Sequence, residues 1–242
     1  MQAWGPRPCY ASGMSWSVPR LVLALFLVAV PAAAWHESTH LAIAKAAGDP
    51  GWHHAAAADF ARLKAREVEG PNHYVNLPLG ETVTAEMVLA QVPRYDEAPG
   101  DGDGRLWGAV IASCADLPAA GERARQHLVF CAHYLGDLSQ PLHHEPYDEH
   151  NRRWHARVDG VVEHQALDLV PEIRRRMTPV SLGDGDAFRD DLAAAVAALA
   201  NDARALGRVL RREARNLSRD EALDLLARSA SLLAAVRRHH GG

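Results

Sequence analysis

Apolar residues return every three or four positions through most of this chain and rarely alternate one by one. That is the helical period; a half-buried strand would repeat every second residue. The pattern predicts helices over residues 38–47, stopped by "GDPG", and 54–69, stopped by "GPN". "NHYVNLPLG" reads as an extended loop, "ETVTAEMVLAQV" as a short helix, "PRYDEAPGDGDG" as a polar loop, and 106–117 as a return to helix. "AGERARQHLVFCAHYLGDL" reads as a long apolar helix ending near Ser139, because Pro141 lacks a backbone donor and disfavours helix just before it. "HEPYDEHN" reads as loop and residues 152–176 as helix. After "TPVSLGDGD" come two amphipathic helices, 187–212 and 218–239. The last opens with Ser218 and Glu221 at capping-box spacing and carries a core-facing stripe of Leu223, Leu226, Ala230 and Leu233.

Composition sharpens this reading. The chain is rich in Ala, Leu, Arg and Glu and poor in runs of Val, Ile and Thr, which predicts an all-α fold. No repeat and no linker interrupts it, so a single multi-helix domain over residues 35–242 is expected. Residues 1–34 read differently. Arg20, the apolar run "LVLALFLVAV" and the small residues "PAAA" have the order of a secretory signal peptide, with Met14 the better start. The run is short for a membrane span. Cleavage after Ala34 would export a chain beginning at Trp35, to the periplasm or beyond.

Formal net charge is −4 with both signs mixed, so bulk electrostatics does not argue for tight binding of duplex DNA. Cys114 and Cys131 remain after the expected cleavage, either as a disulfide that an oxidising compartment permits or as two buried thiols. All 14 histidines follow Ala34. Histidine is the commonest metal ligand, so this excess points to metal before any motif is read.

The stretch "HYLGDLSQPLHH" concentrates the signal. His133 and Asp137 are four apart and share a helix face, among apolar neighbours Phe130, Leu135 and Leu138. A buried, unpaired His and Asp would be costly, and either a metal or a mutual hydrogen bond removes the cost. Pro141 turns the chain, so His143 points elsewhere and can serve a second ion. "WHARVDG" repeats the spacing with His155 and Asp159. Upstream, "ADFAR" offers Asp59 and, one turn later, Arg62; "NHYVN" offers His73; "WHESTH" offers His40. A chain starting at Trp35 would expose an α-amine and a carbonyl on one residue, and together those two atoms can chelate a metal.

In combination these motifs resemble the zinc-dependent S1/P1 nuclease and bacterial phospholipase C superfamily, an all-helical fold holding three zinc ions. The likeness rests on "WHESTHLAIAKAA", "ADFAR", "HYVN", "HYLGDLSQPLH" and "HARVD", and runs from Trp35 to about Asp168. It implies one zinc on Asp59, His73, His133 and Asp137. A second would sit on the amine and carbonyl of Trp35, on His40 and on the other oxygen of Asp137. A third would sit on His143, His155 and Asp159. Only nitrogen and oxygen donors are involved, which suits zinc with positions open for water and substrate. The mechanism implied is attack of a zinc-activated hydroxide on a phosphodiester, with Arg62 contacting the phosphoryl group. Asp59, Arg62 and Asp137 are thus the expected catalytic residues. His127, His144, His150 and His164 receive no role.

The substrate is less determined. The segment between His40 and Asp59 is shorter than in the family. The nuclease branch's Gly-Gly-Asn loop is replaced by "HEPYDEHNRR", nearer the phospholipase branch in length. Asn76 stands where fungal nucleases carry a base-contacting Asp. The start of the chain and the closing ligand Asp159 favour the nuclease branch: a monomeric enzyme cutting single-stranded nucleic acid or 3′-nucleotides. Exposed bases would stack on Tyr74, Trp107, Tyr147 or Trp154, with Asn76 a further contact. The alternatives are a phospholipase C, which would show an apolar rim for lipid, and a zinc-binding protein without activity.

Overall fold

A computed structural model of the chain describes residues 35–95, 102–115 and 122–241. The expected signal peptide, with its start at Met14, lies outside them, as do parts of the loop near residue 100 and of the segment around 117. Among the described residues the fold is all-α, and the only strand-like pairing is one antiparallel bridge between Val75 and Gly104.

Ten α-helices make up this framework: α1 (Glu37–Ala46), α2 (Ala57–Lys64), α3 (Arg66–Glu69), α4 (Ala85–Ala90), α5 (Leu106–Ala115), α6 (Glu122–Asp137), α7 (Glu149–Asp159), α8 (Val170–Arg176), α9 (Asp186–Glu213) and α10 (Arg219–His239). Short 3₁₀ turns lie between them, notably Gly70–His73 and Pro141–His144.

Three expectations need correction. The helix expected over 54–69 is broken into α2 and α3 at Ala65, whose φ of −121° and ψ of 43° are not helical. "HEPYDEHN" is not loop throughout, because the Asp148 side chain accepts from the Asn151 N–H and starts α7 at Glu149. The helix expected over 152–176 is two helices. Gly160 ends α7, and Pro171, in the first turn of α8, suits a helix start.

α5 shows why the core closes. Leu106 to Cys114 are all buried, the signature of a helix apolar on every side. It packs against α6, α9 and α4, while α6 also contacts α1, α2 and α10. Cys114 and Cys131 are joined in a disulfide with Cα atoms 4.9 Å apart, which clamps α5 to α6. The expected stripe on α10 is buried, and its capping box is formed by Ser218 and Glu221.

The last third of the chain grips the rest from behind. Ser229 on α10 donates to the Leu135 carbonyl on α6 at 2.6 Å. On α9, Gly207 leaves room for the turn beneath it, since a Cβ there would stand 2.9 Å from the Pro141 carbonyl. Buried Arg204 donates to the carbonyls of His144, Pro78 and Glu81. Arg211 pairs with Glu145 and Asp148, which lie between the 3₁₀ turn and the start of α7.

Candidate metal centre

His133 and Asp137 occupy the last turns of α6, one helical turn apart and both fully buried. Around Asp137 the fold gathers side chains from four other segments. His40 of α1 places Nε2 3.3 Å from Oδ1, without the alignment of a hydrogen bond. His73, at the end of the 3₁₀ turn, places Nδ1 2.9 Å from Oδ2. His133 itself places Nε2 3.3 Å from Oδ2. His143, past Pro141, has Nδ1 3.9 Å from Oδ1. Asp59 of α2 lies on the far side, with Oδ1 3.9 Å from His133 Nε2.

Close packing makes these approaches possible. The rings of His40 and His133 stack with centroids 3.9 Å apart. Gly136 permits this, because a Cβ there would stand 2.4 Å from His40 Nδ1. Glu163 holds α1 in place from across the fold, accepting from the Ser38 and Thr39 N–H groups at 2.8 and 3.0 Å.

Backbone and neutral polar groups aim the rings. His133 Nδ1 lies 3.0 Å from the Ala55 carbonyl, so that nitrogen carries the proton and Nε2 turns its lone pair inward. His155 Nδ1 donates to Asn151 Oδ1 at 2.7 Å, and Asn151 in turn donates to the Leu142 carbonyl at 2.8 Å. His155 Nε2 then faces Asp159 Oδ2 at 3.5 Å. Gln140 donates to the other oxygen of Asp159 at 2.5 Å. Glu69 faces His73 Nε2 at 3.3 Å and accepts from the Tyr134 hydroxyl at 2.6 Å.

Three groups of side chains could each hold an ion: His40, His133 and Asp137; Asp59, His73 and His133; His143, His155 and Asp159. The donor atoms themselves support this. His40 Nδ1 and Nε2, Asp59 Oδ1, Asp137 Oδ1, His143 Nδ1, His155 Nε2 and Asp159 Oδ2 are all buried without a hydrogen-bond partner. Orphans of this kind are rare in native proteins, and seven among these groups mark a place that could hold cations.

Electrostatics in the metal-free protein agrees. Burial opposes charge on Asp137, yet the imidazoles of His133, His40 and His73 hold its carboxyl well below the ordinary range. Burial likewise works against charge on His73, but Asp137 and Glu69 outweigh it and raise His73 to about 9. In the third group burial wins: it pushes His143 well down, His155 to about 4, and Asp159 well up despite the Gln140 bond. Burial thus disfavours charge on every member of that trio.

Arg62 lies at the edge of the cavity, 3.1 Å from Asp59 Oδ1, and its charge reaches His73, His155 and Asp159. Trp35 is buried and donates from its indole to Ser139 Oγ at 3.2 Å, two residues beyond Asp137. The contacts expected for substrate are less uniform. Tyr147 is exposed and meets the His155 ring edge-on at 6.1 Å. Half-buried Tyr74 flanks Gly104, and Asn76 spends its amide on the Gly102 carbonyl at 2.5 Å. The Trp154 ring meets His150, Arg153 and Arg157. Trp107 cannot stack a base, being 1% exposed and bound through its indole to His144 Nδ1.

His144 thus has a structural role: it is fully buried, and Nε2 donates to the Leu138 carbonyl at 2.7 Å. Glu69, Gln140 and Asn151 were not expected at the site. Two of them repeat the spacing already noted, Glu69 with His73 and Asn151 with His155. No family model matches the chain, and no curated protein matches it.

Proposed function

We propose that the chain is a zinc-dependent phosphodiesterase acting on single-stranded nucleic acid or 3′-nucleotides. The observation that carries this reading is the convergence of buried, unpartnered nitrogen and oxygen donors from His40, Asp59, Asp137, His143, His155 and Asp159. Three ions would be held by the three groups, with nitrogen and oxygen donors alone, a set that suits zinc. When bound, zinc supplies Lewis acidity toward phosphoryl oxygens and makes water acidic enough to react near neutral pH.

The chain's own residues do the rest. Asp137 presents one oxygen to His40 and the other to His73 and His133, so it serves two adjacent groups. The Ala55 carbonyl and Asn151 fix the tautomers of His133 and His155, and Gln140 holds Asp159. Arg62, beside Asp59, offers a planar fork of donors to a phosphoryl group. Residues 1–34 would be a signal peptide, and its removal would free the amine of Trp35 as a further donor. Burial of the Trp35 indole against Ser139, close to Asp137, supports that role.

A second reading, a phospholipase C, also has an observation behind it. Among the described residues, the large apolar side chains that stand exposed are Phe60 at 55%, Leu63 at 78% and Tyr147 at 47%. Two flank Asp59 and Arg62 in sequence, and the third touches His155. An apolar rim of this kind suits a lipid surface.

One experiment separates the readings. The chain beginning at Trp35 is incubated with zinc and either single-stranded DNA or phosphatidylcholine vesicles. Cleavage of the DNA is expected. Cleavage of the lipid alone establishes the second reading, and cleavage of neither overturns both. Extra residues before Trp35 are expected to abolish most activity; full activity would remove the N-terminal donor from the set.

A further inference from the structure

The metal cavity does not account for the outer flank of α7. His150, Arg153, Trp154 and Arg157 stand at positions i, i+3, i+4 and i+7, which places them in one stripe along the helix. His155 and Asp159 occupy its buried face. The guanidinium of Arg153 lies 5.9 Å from the Trp154 ring centroid, that of Arg157 lies at 5.3 Å, and the His150 ring lies at 6.3 Å. Both arginines are exposed and Trp154 is half-buried.

The stripe combines an aromatic ring with two cations that no carboxylate among the described residues matches. Several other surface arginines are paired with carboxylates: Arg176 with Glu172, Asp220 and Asp224, Arg215 with Glu213 and Glu221, Arg219 with Glu172, Arg228 with Asp202. Among the described residues Arg153 and Arg157 have no carboxylate at ion-pair distance, and the nearby Asp148 is taken by Arg211. Two cations without a carboxylate therefore stand against one aromatic ring.

We propose that this stripe is a strand-binding surface for single-stranded nucleic acid, lying outside the metal cavity. Trp154 supplies a face on which a base stacks, and Arg153 and Arg157 supply phosphate contacts about 6 Å apart along the helix axis. The inference rests on the nuclease reading and deepens it. Charge complementarity selects a polyanion, and the ring between the two cations selects one with unpaired bases over an anionic lipid sheet. Because α7 also carries His155, a strand held here is tethered one helix-width from the third ion group.

The test compares a long oligothymidylate with bis(p-nitrophenyl) phosphate, which is too small to reach the stripe, on the zinc-loaded chain. Replacing Arg153→Ala together with Arg157→Ala is expected to raise KM for the oligonucleotide roughly tenfold, leave kcat in place, and leave turnover of the small diester unchanged. The slope of log KM against log salt should flatten by roughly one to one and a half units. Anisotropy of a labelled, hydrolysis-resistant oligothymidylate should weaken in parallel. Trp154→Leu should weaken it too, while Trp154→Phe retains it. Unchanged oligonucleotide KM and anisotropy in the double arginine variant would overturn the surface while leaving the nuclease reading intact. A wild type that cuts neither substrate would instead overturn that reading. Equal loss of binding to phosphatidylglycerol vesicles and to oligonucleotide would reassign the stripe to anionic surfaces in general.

Discussion

At the scale of single residues, the site depends on side chains that meet at distances only certain neighbours allow. Gly136 is the sharpest case. Replacing it by alanine improves helix propensity by about 1 kcal/mol, yet the added Cβ would stand 2.4 Å from His40 Nδ1. Gly136→Ala should therefore keep its helical content by circular dichroism while losing metal in an elemental assay. Undiminished metal content would show that His40 is not a ligand. His73 makes a proton prediction. Its value of about 9 in the metal-free protein stands above the ordinary 6.5, raised by Asp137 and Glu69 against burial. Its charged form therefore stabilises the metal-free fold fully below about pH 6.5, and that contribution is lost as pH rises through 9. With His73 as a ligand, zinc uptake at pH 7 would displace that proton. Calorimetry in two buffers of different ionisation heat should register its release, and a proton count of zero would refute the assignment. The candidate donors were legible because spacing of four residues on a helix puts two of them on one face, as with His133 and Asp137. The groups that aim them were not, because the Ala55 carbonyl has no sequence signature and Gln140 acts from a turn whose shape only Pro141 hints at.

At the scale of elements, periodicity located most helices, and local chemistry placed the ends it missed. Residues 152–176 read as one helix because their apolar spacing barely changes, but Gly160 and Pro171 bracket the break. The start of α7 hid behind Asp148, whose capping bond needs three-dimensional placement to be seen. Between α9 and α10 the chain turns at Ala214 with φ of 49°, a left-handed conformation that favours glycine. Ala214→Gly should stabilise the protein by about 1 kcal/mol, read as a shifted denaturant midpoint with unchanged slope. The Cys114–Cys131 bridge, which sequence left open against two thiols, links α5 to the helix carrying His133 and Asp137. Replacing both cysteines by serine should cost about 3 kcal/mol, which for a chain of this size lowers Tm by roughly 6–12 °C. An unchanged Tm would mean that packing alone fixes α5 on α6.

At the scale of the whole molecule, the donors come from α1, α2, the turn at His73, α6, the turn at His143 and α7, while α8, α9 and α10 contribute none. The last helices act through buried contacts: Arg204 collects carbonyls from the loop near Pro78 and from His144, and Ser229 bonds the backbone of α6. Their sequence carried a scaffold signature, amphipathic and without histidine until the final residues, and that much was readable. Which carbonyls Arg204 would collect was not, since the contacts span more than a hundred residues. Asp137 has a wider consequence. Its two oxygens face different histidines from segments far apart in the chain. An ion held on one oxygen would fix the carboxylate for the next, so the adjacent groups would not fill independently. Linkage then requires each to change the other's affinity by the same factor. Zinc titration of the apo protein should be sigmoidal over the first two equivalents, and Asp137→Asn should leave a weaker, hyperbolic curve. One carboxylate would thus set not only where the ions sit but the threshold of free metal at which the protein switches on.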